Sequence, residues 1–162
     1  MKKYHFIDSE ESFEIGDQIN LQVLADENLV AQLLEAGIIK EEWRLSMIRK
    51  GNECQIEYRE HMRDGDGTVQ LTNFITGPDE LCGKGRLFSK ITLNPGCGIG
   101  YHVHEGDAEL FYILKGTAEY SDNGTIKTVS AGDVTICPPN TGHSIANRTD
   151  EVVELVAVIV YE

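Results

Sequence analysis

Long apolar runs are missing from this chain: no segment approaches the roughly 18 consecutive apolar residues of a membrane-spanning helix. The start, MKKYHFIDSEESFE, turns acidic where an export signal needs an apolar stretch, so a cytoplasmic location is expected. CxxC pairs are missing too. Cys54, Cys82, Cys97 and Cys137 show no disulfide-framework spacing, and four free thiols in a reducing compartment are expected. Positive charge is scarce, with 14 lysines and arginines against 27 aspartates and glutamates, a formal net charge of −13. That balance repels nucleic acid and anionic membrane surfaces, so neither is an expected partner. The cluster Lys40, Arg44, Arg49 and Lys50 reads as a solvated face paired with nearby carboxylates. There is no internal repeat and no low-complexity tract. Two binding motifs also fail. Asp64-Gly65-Asp66-Gly67 starts like a calcium loop but puts Ile75 where a bidentate glutamate is required, and Gly83-Lys84-Gly85 lacks the spacing of a phosphate loop.

What is present suits a globular protein. A chain of 162 residues, 41% hydrophobic and 25% charged, can bury roughly 70% of its unfolded surface without disulfides or a structural metal. Its texture changes near Gly51. Residues 1–50 form an expected N-terminal extension, partly helical: Asp26 can cap a short helix with Leu29, Val30, Leu33 and Leu34 on one face and Gly37 at its end. KEEWRLSMIRKG is ambiguous, since Trp43, Leu45 and Met47 alternate like a strand while Trp43, Met47 and Ile48 share a helix face. Residues 51–162 read as an all-β domain of short strands separated by Gly, Pro, Asn and Asp, a sandwich or barrel. The clearest hairpin is TAEY-SDNG-TIKTV, whose Asn-Gly suits positive φ angles. The last run, Val152 to Tyr161, is apolar on both faces apart from Glu154, so it lies between two layers or has one side against a partner chain.

The chemistry concentrates in two places. On a strand, His102 and His104 project to one side, and Tyr101 and Val103 face away. Glu109, Phe111 and Ile113 share one face of the next strand, and pairing through a turn at Glu105–Ala108 would return Glu109 to the histidines. A third histidine, His143, follows the Pro138-Pro139-Asn140 turn. Three imidazoles and a carboxylate suit zinc, iron, manganese, nickel or copper better than calcium or magnesium. Cys97 and Cys137 lie near these strands and are expected to be inert packing thiols; Asn147 is expected to be a strand-end hydrogen-bonder.

Gly96-x5-His102-x-His104-x4-Glu109-x6-Gly116 resembles the first conserved motif of the cupin family, and Gly132-x5-Pro138-x-Asn140-x2-His143-x3-Asn147 resembles the second. The fifteen residues between Gly116 and Gly132 suit the hairpin that joins the two motifs in that family. The family usually has glycine at the position of Asn140, and asparagine is the next most tolerant residue of a left-handed turn. The resemblance implies a double-stranded β-helix, a jelly-roll barrel, holding one divalent transition metal through His102, His104, Glu109 and His143. It also implies pairing as a homodimer.

Four protein ligands on a six-coordinate metal leave two adjacent positions for a small oxygen-rich molecule. The first expected function is a metal-dependent enzyme on such a metabolite: an oxygenase, an isomerase, or a lyase or decarboxylase. The alternative is a non-catalytic ligand-binding or sensory protein whose metal anchors an effector, because no acid or base beyond the ligands stands out. A metal-free epimerase would need a histidine base set up by a carboxylate, and the full ligand shell speaks against it.

Overall fold

Alternation of small and large apolar residues with polar ones makes this chain a set of strands, and the computed structural model, which describes residues 3–5, 12–14, 27–36 and 48–162, contains twelve of them among those residues. The chain divides into two compact units, Met1–Ile48 and Arg49–Glu162. In the first, β1 (Lys3–His5) and β2 (Ser12–Glu14) form an antiparallel ribbon with Tyr4 opposite Phe13, in a stretch where the sequence shows no clear period. The helix α1 spans Glu27–Glu35, with Leu33 buried. The expected cap Asp26, the terminator Gly37 and the ambiguous stretch through Met47 lie outside the described residues. No helix among the described residues is long and apolar enough to cross a membrane.

The second unit is built from ten strands: β3 (Gln55–Glu60), β4 (Thr68–Asn73), β5 (Gly85–Leu93), β6 (Gly98–Val103) and β7 (Asp107–Lys115) come first. They are followed by β8 (Thr117–Asp122), β9 (Thr125–Ser130), β10 (Val134–Cys137), β11 (Gly142–Ala146) and β12 (Val153–Tyr161). Every pairing is antiparallel. One sheet runs β10-β7-β12-β5-β4-β3 and the other β6-β11-β8-β9. This is the expected jelly-roll, two sheets whose inner faces share a core.

The central strands of the six-stranded sheet show period-2 burial. On β12, Val153, Leu155, Ala157 and Ile159 are buried, as are Phe111 and Ile113 on β7; all but Ile159 share one core cluster with Ile99, Ala118, Tyr120 and Ile145 of the other sheet. Fully burying each such side chain contributes about 1.5–3 kcal/mol. β12 lies in the interior of its sheet, between β7 and β5. The expected β8–β9 hairpin forms, with Asn123 at φ 47° and Gly124 at φ 91°. Asn140 adopts φ 62°, the left-handed conformation expected of the residue that replaces glycine there. All four cysteines are free.

Asn147 is wholly buried and ties three segments together. Its Nδ2 donates to the carbonyls of Leu93 (2.9 Å) and Glu151 (2.7 Å), and its Oδ1 accepts from the backbone N–H and the hydroxyl of Thr149. The expected role of hydrogen-bonder at a strand end is therefore the observed one. Asn147→Ala is expected to cost about 2–4 kcal/mol, because it leaves buried carbonyls without donors. Chemical unfolding checks this; a loss below about 0.5 kcal/mol would show that water replaces the amide.

Candidate metal centre

His102 and His143 face each other across the β6–β11 pair, in direct register. A bulge follows between His143 and Ile145, the kind of local irregularity that re-aims a side chain beside a site. His104 lies one residue beyond the end of β6, and Glu109 is on β7 in the opposite sheet. The expected β6–β7 pairing does not form. β6 pairs with β11, whereas β7 pairs with β10 and β12. Glu109 reaches the histidines across the barrel interior instead, because both sheets turn the same alternating face inward.

The four ligand atoms lie within 4.8 Å of one another. Glu109 Oε2 is 2.9 Å from His143 Nε2, 3.3 Å from His104 Nε2 and 3.7 Å from His102 Nε2, and the Nε2 atoms of His104 and His143 are 3.1 Å apart. Donors about 2.1 Å from a shared ion stand about 3.0 Å apart when cis in an octahedron and about 3.4 Å apart in a tetrahedron. The separations among Glu109, His104 and His143, 2.9–3.3 Å, match that range and His102 lies slightly farther out, so this donor set fits a transition metal. His104, Glu109 and His143 are buried and His102 is half-buried.

Each imidazole is held from behind by a different group. His102 Nδ1 is 3.0 Å from the carbonyl of Gly100, which can only accept, so that nitrogen carries the proton and Nε2 offers a lone pair to the centre. His104 Nδ1 is 2.6 Å from Asp107 Oδ1, and His143 Nδ1 is 3.0 Å from the Tyr120 hydroxyl. Asp107 in turn accepts from Arg86 Nε at 2.8 Å. Phe111 stacks on His143 with centroids 5.1 Å apart. The acceptor-only carbonyl and carboxylate fix the tautomers of His102 and His104, while the Tyr120 hydroxyl, able to donate or accept, fixes the ring orientation of His143.

The electrostatics follow from this packing. Burial would push the Glu109 carboxyl up, but the three imidazoles outweigh it and hold it well below the usual carboxylate range. The hydrogen bond to Glu109, helped by Asp107, raises His104. Burial lowers His143 and pushes the Tyr120 phenol up to about 12, so Tyr120 stays protonated.

Asp107, Tyr120 and Arg86 were not distinguishable in the sequence. Asp107 is two residues before Glu109 on the same face of β7, and that shared face is the one signal that could have marked it. Tyr120 and Arg86 come from distant strands and carry no local signal. Tyr101 is half exposed and faces away, as expected, with its ring against Gly142. Cys137 is buried beside Thr141, its thiol raised by that burial, consistent with an inert packing role. Asp107→Asn is expected to weaken metal affinity about 10- to 100-fold, since it loosens His104 without removing a ligand. Chelator competition measures this, and unchanged affinity would show that His104 orients itself.

A cavity of about 450 Å³ opens from His102, His104 and Glu109 toward Arg59, Glu60, His61, Met62, Arg63 and Arg86. Its rim includes a short 3-10 turn, Met62–Asp64, in which Arg63 and Asp64 take positive φ, as does His61 before it. Such conformations cost about 1–3 kcal/mol each and persist only where the surroundings impose them. Here the turn lies against β6 so closely that a Cβ on Gly100 would sit 1.9 Å from the Arg63 carbonyl oxygen, and one on Gly65 would sit 2.3 Å from that of Gly98. Glycine at positions 65 and 100 is what allows the rim to dock beside the histidine strand.

Residues 89–159 match the family model of the cupin domain. An oxalate-binding protein of Thermotoga maritima is 35% identical over 114 residues, covering 70% of this chain and 93% of that protein. Among solved structures, a predicted oxalate decarboxylase of Thermotoga maritima superposes with a TM-score of 0.68 at 34% identity, covering 72% of this chain and all of the other. A conserved protein with a double-stranded β-helix domain from Klebsiella pneumoniae has a TM-score of 0.53 at 23% identity, over 72% of this chain and 91% of that one, and supports the fold alone.

Proposed function

Because this chain belongs to the cupin superfamily, we propose that it binds one divalent transition metal and, on that metal, a small chelating carboxylic acid for which oxalate is the reference compound. The observation that carries this is the convergence of His102, His104, Glu109 and His143, the first three of them lining a cavity of about 450 Å³, with donor spacings suited to one ion. The oxalate-binding and oxalate decarboxylase-like relatives support the ligand class. When bound by His102, His104, Glu109 and His143, the metal would supply a Lewis acid for the oxygens of such an acid. The chain's own part is to hold the three imidazoles in place, keep Glu109 ionised, and surround the bound acid with Leu87, Ile91 and Ile159 on the apolar side.

A second role, turnover of the bound acid as a lyase or decarboxylase, draws on Glu60 and His61, the titratable non-ligand groups in the cavity other than its arginines. Calorimetric titration of oxalate into metal-loaded and metal-stripped protein tests the first role, together with elemental analysis of protein purified without added metal. Saturable binding that requires the metal is expected. Protein that neither carries nor takes up a transition metal would refute the site, and metal-loaded protein indifferent to oxalate would refute the ligand class. Assay of the same mixture for carbon dioxide separates binding from turnover.

Pairing of two copies through the outer face of the six-stranded sheet is also proposed. Tyr112, Val134, Ile136 and Phe88 are exposed there beside Leu110 and Val158, aligned across four strands. Sedimentation equilibrium should give twice the 18.0 kDa chain mass; a monomer at micromolar concentration would rule the pairing out.

A further inference from the structure

We infer that the acid this cavity takes is longer than oxalate: one end chelates the metal, and the other carries a second anionic group that Arg63 receives at the rim. The inference rests on the metal and carboxylic-acid function proposed above and specifies its ligand.

Volume is the first reason. Oxalate has six non-hydrogen atoms, and even at about 30 Å³ per water-sized group it would fill no more than about 180 Å³. The cavity measures about 450 Å³, so oxalate on the metal would leave more than half of it to water. Charge is the second reason. Three of the chain's six arginines line this one cavity in a protein of net charge −13. Two of them are neutralised by the protein itself: Arg59 is bidentate to Glu57 (2.8 and 3.0 Å), and Arg86 is bound to Asp107. The Arg63 guanidinium has no hydrogen-bond or ion-pair partner among the described residues. Asp64 follows Arg63 in the same turn and Glu60 lines the cavity, but neither is bonded to the guanidinium. A divalent ion with Glu109 leaves one positive charge at the inner end, and Arg63 adds one at the outer end. A dianion with separated charges matches that pair.

Placement is the third reason. The Arg63 backbone is held in the left-handed region against Gly100, two residues from His102. The side chain therefore starts from a fixed backbone point beside the metal cavity rather than from a free loop. A planar five-donor fork at that point suits bidentate capture of a carboxylate or phosphate.

The test uses the full chain loaded with cobalt(II), whose visible bands report both metal occupancy and ligand entry. Glycolate, oxalate, malate and 2-oxoglutarate are titrated into wild type, Arg63→Gln and Arg63→Lys. Malate or 2-oxoglutarate is expected to bind more tightly than oxalate or glycolate. Arg63→Gln should remove that advantage, weakening the longer acid about tenfold or more while leaving cobalt affinity and glycolate affinity unchanged. Arg63→Lys should restore part of it, since charge returns without the fork. Oxalate binding at least as tightly as the longer acids overturns the inference, as does an Arg63→Gln effect equal for all four acids. If none of the acids perturbs the cobalt spectrum, the proposed carboxylic-acid function itself fails; if oxalate does so without any length preference, the inference alone fails. Phosphoenolpyruvate added to the series distinguishes an outer phosphate from an outer carboxylate.

Discussion

His143→Ala is expected to lower metal affinity by more than two orders of magnitude and to abolish the metal-dependent rise in melting temperature. His143 is 1% exposed and sits at the centre of the donor set, with Nε2 2.9 Å from Glu109 and 3.1 Å from His104. Removing a partner behind a ligand costs about 10- to 100-fold in affinity, so removing a ligand itself costs more. The substitution also leaves the Tyr120 hydroxyl without its nitrogen partner and opens a void against Phe111. The metal-free variant is therefore less stable than metal-free wild type by about 2–4 kcal/mol. Elemental analysis, and melting curves with and without metal, separate the two effects. Stoichiometric metal in purified His143→Ala would mean that the ion is held without this residue, and the proposed ligand set would have to be abandoned.

Metal affinity is expected to fall as pH falls, beginning above the ordinary imidazole value of about 6.5. The sign follows from the metal-free site. Glu109 and Asp107 raise His104, so in the folded apo-protein this imidazole keeps its proton at a pH where a free one has lost it. The metal must expel that proton, and affinity drops about tenfold per pH unit while one proton is displaced. His143 does not add to the loss in this range, because burial lowers it and it is already neutral. Asp107→Asn removes one of the two carboxylates that hold the His104 proton, so the fall should begin at lower pH in that variant even though its affinity is weaker. Chelator competition between pH 5 and 9, with proton release followed in weak buffer, gives the curve. Affinity that stays level from pH 8 to pH 6 would contradict a histidine shell of this kind.

How much of this was legible in advance depends on the range over which each signal acts. Alternation acts over two residues, and it was enough to place β5 at Gly85–Leu93 and to put Phe111 and Ile113 inside with Glu109. Turn chemistry acts over four, and Asn123-Gly124 and Asn140 took the left-handed conformations their side chains tolerate. Pairing across the barrel acts over no fixed distance. The neighbours β6 and β7 looked like a hairpin, yet they belong to opposite sheets, because β7 finds its partners in β12 and β10. The groups behind the ligands fall in the same class: Tyr120 meets His143 from 23 residues away, and Arg86 meets Asp107 from 21.

The sequence by itself determined most strands of residues 51–162, the face their side chains take, the spacing of two motifs and the four candidate donor residues, since these follow from local geometry and residue chemistry. Only the tertiary structure decided that the candidate donors converge from two sheets to within 4.8 Å of one another, and that Gly100, Asp107 and Tyr120 hold the imidazoles from behind. It also decided that two of the three cavity arginines are already paired, while Arg63 has no ion-pair partner among the described residues. Those facts depend on which strands meet, and strand pairing is settled by burial summed over the whole core, which no short stretch of sequence contains.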